Sequence, residues 1–497
     1  MNQRVQTLLI TFSILLIGFV AFWRMQTALA WGIIPAILAV PWMLGDPKRL
    51  LAGYWVWATI CEYAYQITRI GAVRYGDEAL LGCIVIAMVF QHALNRASYP
   101  DVRAMTRVFT GLVILFILSF AVNRGSYIDA AVTTVQYLRP FVLGFFAYAA
   151  LKPQDLPSVA KFFILTLLIQ LVMNVAWLLG INPLPHPGIY VGIDFAVGTM
   201  GTSLFVGYTA CLGIALCVAI FLVFGYPTYL LLSAVLTASL LVTNTAHAYA
   251  FLGVMLLIIG LLYSKGTPMR ILGITFAVIP LLAIITLVQV LSPNTLKLDS
   301  YLRRGSDLFT GRKMEAYRSH LVDLPQEPSI PFFLLGTGPG SLGTTLADER
   351  GYLAAKYHGW TFTGTDALEV QTRSIIMHTK TGFLAIWSDL GPIAFLLYWG
   401  SHFYALLRVT SHYRKSRYNL PWQRAFALSF PGVMTLYLLV AFMTDVVHTA
   451  LWGCVPWIWA SFVWTPQEAP ETAPDEVIDE EELQPDSTKL NPILSLR

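Results

Sequence analysis

Ser292 opens, and Met377-His378-Thr379-Lys380 closes, a long polar stretch punctuated by Gly and Pro. Directly after it the sequence turns apolar, with Phe383-Leu384-Ala385-Ile386-Trp387-Ser388-Asp389-Leu390-Gly391. On both sides of the stretch lie apolar runs, and a bilayer core needs roughly 20 mainly apolar residues per helical crossing. Backbone groups in lipid must be paired within their own segment, so runs of this kind mean helices. The chain is 56% hydrophobic and 12% charged, which excludes an ordinary soluble domain and a disordered one. No alternating pattern of a β-barrel is present. The expectation is an all-α integral membrane protein, a bundle of about 12–14 transmembrane helices with one large extracytoplasmic loop between residues 292 and 380.

Working outward, crossings are expected at 8–23, 28–44, 51–67, 79–94, 108–122, 130–150, 158–180, 203–225, 228–244, 248–263, 271–291, 380–403, 425–443 and 449–464. The chain then divides into an N-terminal bundle at 1–291, the polar loop with short helices at 292–379, a second group of crossings at 380–465, and an acidic, Pro-rich tail at 466–497. The tail carries Asp475, Glu476, Asp479 and Glu480 but lacks the apolar residues to fold alone. The apolar run after Arg4 is expected to be an uncleaved anchor, because Trp23-Arg24-Met25-Gln26 separates it from the small residues Ala28-Leu29-Ala30.

Basic residues in short loops set orientation. One set of alternate loops holds Arg4; Lys48 and Arg49; Arg96, Arg103 and Arg107; Lys152 and Lys161; Lys265 and Arg270; and Arg408, Arg414, Lys415, Arg417 and Arg424. Outside the long loop, the other set holds Arg24, Arg69, Arg74 and Arg124. Both termini are therefore expected in the cytoplasm and 292–380 outside. Cys61, Cys83, Cys211, Cys217 and Cys454 all lie in apolar runs without a Cys-x-x-Cys, so they read as small buried hydrophobes.

Within the polar stretch, Ser306 or Thr310 can cap a helix. Met314, Tyr317, Leu321 and Leu324 then recur at helical steps as one apolar face. Arg312 lies on the other side, either paired with Glu315 on a solvated face or free for a ligand. Gly336, Gly338 and Gly340 stand at two-residue spacing in Leu335-Gly336-Thr337-Gly338-Pro339-Gly340. Such a turn can present backbone N–H groups to an anion, or can be a plain tight turn. Tyr352, Tyr357, Trp360 and Phe362 suit either anchoring at lipid headgroups or stacking on sugars. Arg373, His378 and Lys380 gather before the next crossing. Asp389 stands roughly 13 Å into it, the main acid expected at depth and hence a functional candidate. Asp445 with His448, and His247, stand at two other outer mouths.

Taken together, these features resemble the O-antigen ligase and polymerase superfamily, polytopic bacterial glycosyltransferases. Gly198-Thr199-Met200-Gly201 resembles the family's Gly-Thr-Phe-Gly start of a crossing. Thr310-Gly311-Arg312 resembles its Gly-Arg at a loop helix, and Leu335–Gly340 its Gly-x-Gly turn. His378 followed by Asp389-Leu390-Gly391 resembles its His-Asn before an apolar run with Glu-x-Gly. Thr379 replaces the family's Asn, and alignment on Gly391 puts Lys380 at the family's His. Thr243-Asn244-Thr245-Ala246-His247-Ala248 lacks the family's Ser-Arg-Gly.

The resemblance implies transfer of a polyprenyl-diphosphate-linked glycan to a hydroxyl on a glycan or lipid-core acceptor, as ligase or polymerase, in a bacterial inner membrane. Arg312, with Arg303, Arg304 or Arg373, would hold the diphosphate, because charge grows there as the glycosidic bond breaks. His378 would take the acceptor proton, with Lys380 the alternative register. Gly336, Gly338, Gly340, His247 and Asp389 complete the expected substrate contacts. No metal or other cofactor is expected, since no metal-ligand spacing occurs in the outer segments. Membrane lipids and other polysaccharide-assembly proteins are the expected partners, and nucleic acid is not. A transporter of lipid-linked sugar without catalysis is the alternative, for which inverted halves and charges deep in several crossings would speak.

Overall fold

The computed structural model describes residues 46–68, 76–95, 103–123, 127–178, 200, 203–243, 246–264, 286, 317–323, 335–340, 381–444, 447 and 452–463. Among them there is no strand. The α-helices are α1 (Pro47–Thr68), α2 (Gly76–Asn95), α3 (Arg103–Asn123), α4 (Tyr127–Ala150), α5 (Leu156–Leu178), α6 (Ser203–Phe224), α7 (Pro227–Thr243), α8 (Ala246–Tyr263), α9 (Gly382–Arg414), α10 (Pro421–Met443) and α11 (Val455–Val463). Five described helices are long and apolar enough to cross a membrane. The expected crossings 8–23, 28–44 and 271–291 lie outside the described residues.

The helix ends follow from local chemistry. Pro47, Pro227 and Pro421 open α1, α7 and α10, where a missing N–H costs nothing because the first turn has no partner for it. Gly225 ends α6 at φ 74°, donating to the Phe221 carbonyl, and Pro227 starts the return as α7. The short link makes α6 and α7 an antiparallel pair.

At the centre stand α6 and α10, each with 78% of its apolar window buried. Around them pack α7, α8, α9 and α11, while α4 packs on α11 and α3 on α9. The periphery reverses the pattern of a water-soluble protein. Ile114, Ile117 and Leu118 of α3, and Leu165, Ile169 and Val172 of α5, are exposed. An apolar rim on a polar-poor bundle suits lipid as its surroundings.

Several interior polar groups are paired between helices, as a medium without water favours. The Trp55 indole donates to Thr166 at 3.1 Å, and that of Trp459 to Ser429 at 3.0 Å. The Trp457 indole donates to His402 Nε2 at 2.9 Å, which leaves Nδ1–H to donate to the Tyr398 carbonyl at 2.8 Å. His402 is thereby a neutral structural residue stacked on Tyr437.

Two expected crossings change. The one expected at 380–403 is a 33-residue helix reaching Arg414 and interrupted at Gly391, so Arg408 belongs to the helix and not to a loop. The one expected at 449–464 is described as a helix only over Val455–Val463; nine residues span roughly 14 Å, about half a bilayer core.

Candidate functional site

The site forms where α9 is broken. Gly391 has φ 79° and ψ 179°, outside the helical region, and Pro392 follows. Proline has no N–H, so the Ser388 carbonyl loses its partner four residues on. The turn at Gly391 removes the partner of the Asp389 carbonyl as well. Both are served by the polar stretch: Thr337 N–H donates to Ser388 O at 2.9 Å, and Gly338 N–H to Asp389 O at 3.0 Å. The Thr337 hydroxyl adds a bond to Ser388 O at 3.0 Å.

The glycines are there because nothing larger fits. Gly336, Gly338 and Gly340 have φ of 64°, 105° and 74°. A Cβ on Gly336 would lie 2.5 Å from Asp389 O, and one on Gly340 would lie 2.7 Å from Thr133 Oγ1. The turn is wedged between α3, α4 and α9, and residues 336–340 are buried. Within the expected extracytoplasmic loop, this segment is therefore enclosed by the bundle.

Asp389 is fully buried. Its Oδ2 accepts from the Tyr137 hydroxyl and from Gly340 N–H, both at 3.1 Å. Of the turn's amides, that of Gly340 reaches the Asp389 carboxyl, while those of Thr337 and Gly338 serve backbone carbonyls. From α3, the Ser119 hydroxyl donates to Leu335 O at 2.6 Å, and the Asn123 amide to Gly336 O at 3.3 Å.

A second piece of the polar stretch docks on the same half-helix. Ser319–Asp323 forms a π turn. His320 in it is fully buried, with Nδ1 2.6 Å from the Ser388 hydroxyl, and its carbonyl accepts from the Trp387 indole at 2.8 Å. Tyr317 stacks on Phe442 and donates to the Phe442 carbonyl at 2.8 Å. Burial raises the Tyr317 phenol, opposed by its bond to Thr381, which keeps the hydroxyl a donor. The apolar face expected from Met314, Tyr317, Leu321 and Leu324 is thus corrected within this segment. Leu321 is 44% exposed and His320 points inward, because a π turn adds a residue per turn and rotates the phase.

The structure thus brings Gly336, Gly338, Gly340 and Asp389 together. Arg303, Arg304, Arg312, Arg373, His378 and Lys380 lie outside the described residues, as do Asp445 and His448. His247 lies in the first turn of α8, its side chain outside the description. The sequence reading missed His320, Ser388 and Tyr137. For Ser388 and Tyr137 the available signal was polarity within an apolar run beside Asp389 or Pro140. Among the described residues, no group of His, Cys, Asp and Glu is placed to hold a metal ion.

A comparison with protein-family models finds no match for this chain, and a comparison with curated proteins finds none.

Proposed function

We propose that this protein is a polytopic, metal-independent glycosyltransferase of a bacterial inner membrane. It moves a glycan from a polyprenyl diphosphate to an acceptor hydroxyl during surface-polysaccharide assembly, as ligase or polymerase. Both termini are cytoplasmic and the 292–380 stretch faces outward.

The observation that supports this most is that the polar stretch returns into the apolar bundle at the α9 interruption. A polar segment anchored between lipid-facing helices suits a substrate with an apolar tail and a polar head. Lys380 directly precedes Thr381, the residue that caps α9, and Arg312 shortly precedes the docked Tyr317. The chemistry divides between them. Arg312, aided by Arg303, Arg304 or Arg373, balances the charge that grows on the departing diphosphate. His378 removes the acceptor proton as the new glycosidic bond forms. Asp389 and the three glycines act from below, holding the two polar segments in register.

The test is transfer from a prenyl-diphosphate-linked oligosaccharide by purified protein. Arg312→Ala and His378→Ala should each abolish product while the protein remains in the membrane. A silent Lys380→Ala beside a dead His378→Ala would fix His378 as the base. Wild-type turnover by Arg312→Ala would remove the proposed donor site.

A transporter of lipid-linked sugar is the second reading, favoured by the interrupted α9 and by a charged cluster inside the bundle described next. It would move donor across proteoliposomes with no acceptor and form no product.

A further inference from the structure

Arg139 stands midway along α4 and its side chain is 1% exposed. Two acids in the first turn of α2 face it. Arg139 Nη1 lies 2.8 Å from Asp77 Oδ2, and Nη2 lies 2.7 Å from Glu78 Oε1. Tyr54 of α1 and Cys454, just ahead of α11, complete the surroundings, their side chains 3.7 Å apart. Tyr137, two residues before Arg139 on α4, bonds Asp389, but no residue of the cluster takes part in the reaction proposed above.

One guanidinium cannot balance two carboxylates. The N-terminal end of α2 offsets about half an elementary charge, which leaves the pair under-compensated. An excess negative charge among apolar helices is strongly disfavoured, and neighbouring carboxylates resolve it by retaining a proton. A second observation points to the same place. Glu78 Oε2 is buried and has no hydrogen-bond partner, and neither has Arg139 Nε. An ionised carboxylate oxygen left bare in this setting is costlier than a protonated one.

We infer that Glu78 is a proton-binding site inside the helical bundle, holding one proton beside the Asp77–Arg139 ion pair. The occupied site is neutral: one guanidinium, one carboxylate and one carboxylic acid. The proton comes from water and returns to it, with no other bond made or broken. Glu78 is the exchanging group, since its side chain is 19% exposed against 5% for Asp77. Arg139 holds both acids in place, and the Tyr54 hydroxyl and Cys454 thiol are the other titratable groups facing the cluster.

The experiment is infrared spectroscopy of the purified full chain in lipid nanodiscs at neutral pH. Wild type should show a protonated-carboxyl C=O band that shifts in heavy water and titrates away at alkaline pH. Glu78→Gln should lose one carboxyl's worth of that absorbance. Asp77→Asn should lose it as well, because a lone Glu78 then pairs with Arg139 and ionises. Absence of a titrating band in wild type, which needs no variant, would overturn the inference. So would persistence of the band in both variants, which assigns it to another buried acid such as Asp129 or Asp389. Loss in Glu78→Gln alone would also overturn it, since the proton on Glu78 would then not depend on the charge of Asp77.

Discussion

At Gly336 the backbone leaves no freedom of choice. Its φ of 64° disfavours a side chain, and the space a Cβ needs is occupied by the Asp389 carbonyl. Gly336→Ala should destabilise the protein by about 1–3 kcal/mol from backbone strain alone. Gly400, in α9 with open space around it, gives the contrast: Gly400→Ala should be neutral or stabilising by up to about 1 kcal/mol. Thermal midpoints of the detergent-purified variants decide, and equal midpoints would mean that the turn is not wedged. Asp389 follows the same logic. Asp389→Ala removes the acceptor of the Tyr137 hydroxyl and of Gly340 N–H and should cost about 1–3 kcal/mol, whereas Asp389→Asn keeps an acceptor and should fold in better yield. The glycines and Asp389 were legible as special, because glycine spacing and an acid at depth are rare in apolar sequence. Their partnership was not, since no local pattern links residues so far apart. Arg139 was passed over although it stands within the expected crossing 130–150, so Asp389 is not the main charge at depth. Its ion pairs reach a different helix, which the sequence around it does not announce.

The α9 helix shows what an element can conceal. Its apolar run reads as one crossing, and Gly391-Pro392 within it is a breaker pair. The sequence carried the signal, but the consequence depends on partners: Thr337 serves the freed carbonyl of Ser388, and Gly338, with a longer contact from Ser119 at 3.5 Å, that of Asp389. Restoring the helix should therefore release the turn. In a cysteine-free background, Thr337→Cys should resist a membrane-impermeant thiol reagent, because the site is buried. Adding Gly391→Ala and Pro392→Ala should make that cysteine react, as a continuous α9 satisfies its own carbonyls. Unchanged protection would show that the glycine turn is held by α3 and α4, through Ser119, Asn123 and Thr133, rather than by the break. Helix ends elsewhere were readable to within a few residues, because Pro47, Pro227 and Pro421 mark starts and Gly225 marks a stop. The π turn at His320 was not readable, since its neighbours Tyr317 and Leu321 keep ordinary helical spacing.

For the whole molecule, the class of fold was legible because composition alone requires lipid around so apolar a chain. Which face of the bundle meets which compartment is a question of charge. The structure gathers Lys48 and Asp155 into one ion pair at 2.8 Å, joining the start of α1 to the link before α5. A groove of about 210 Å³ runs from this pair along Trp55, Phe163 and Trp459 to Phe462. Phe462 in turn accepts from Gln423, near the α9–α10 connection with Arg414, Lys415 and Arg417. These two described connections thus share one end of the bundle, and the docked segments with Gly340, Asn123 and Thr133 share the other. If basic loops stay in the cytoplasm, the two ends must label oppositely. In intact cells of a cysteine-free background, Tyr127→Cys, at an exposed position beside Asn123, should react with an impermeant maleimide. Ser416→Cys, in the α9–α10 connection, should react only after lysis. The reverse pattern would put the polar stretch in the cytoplasm, where a donor in the outer leaflet could not reach Arg312 or His378, and the proposed transfer would fail with it.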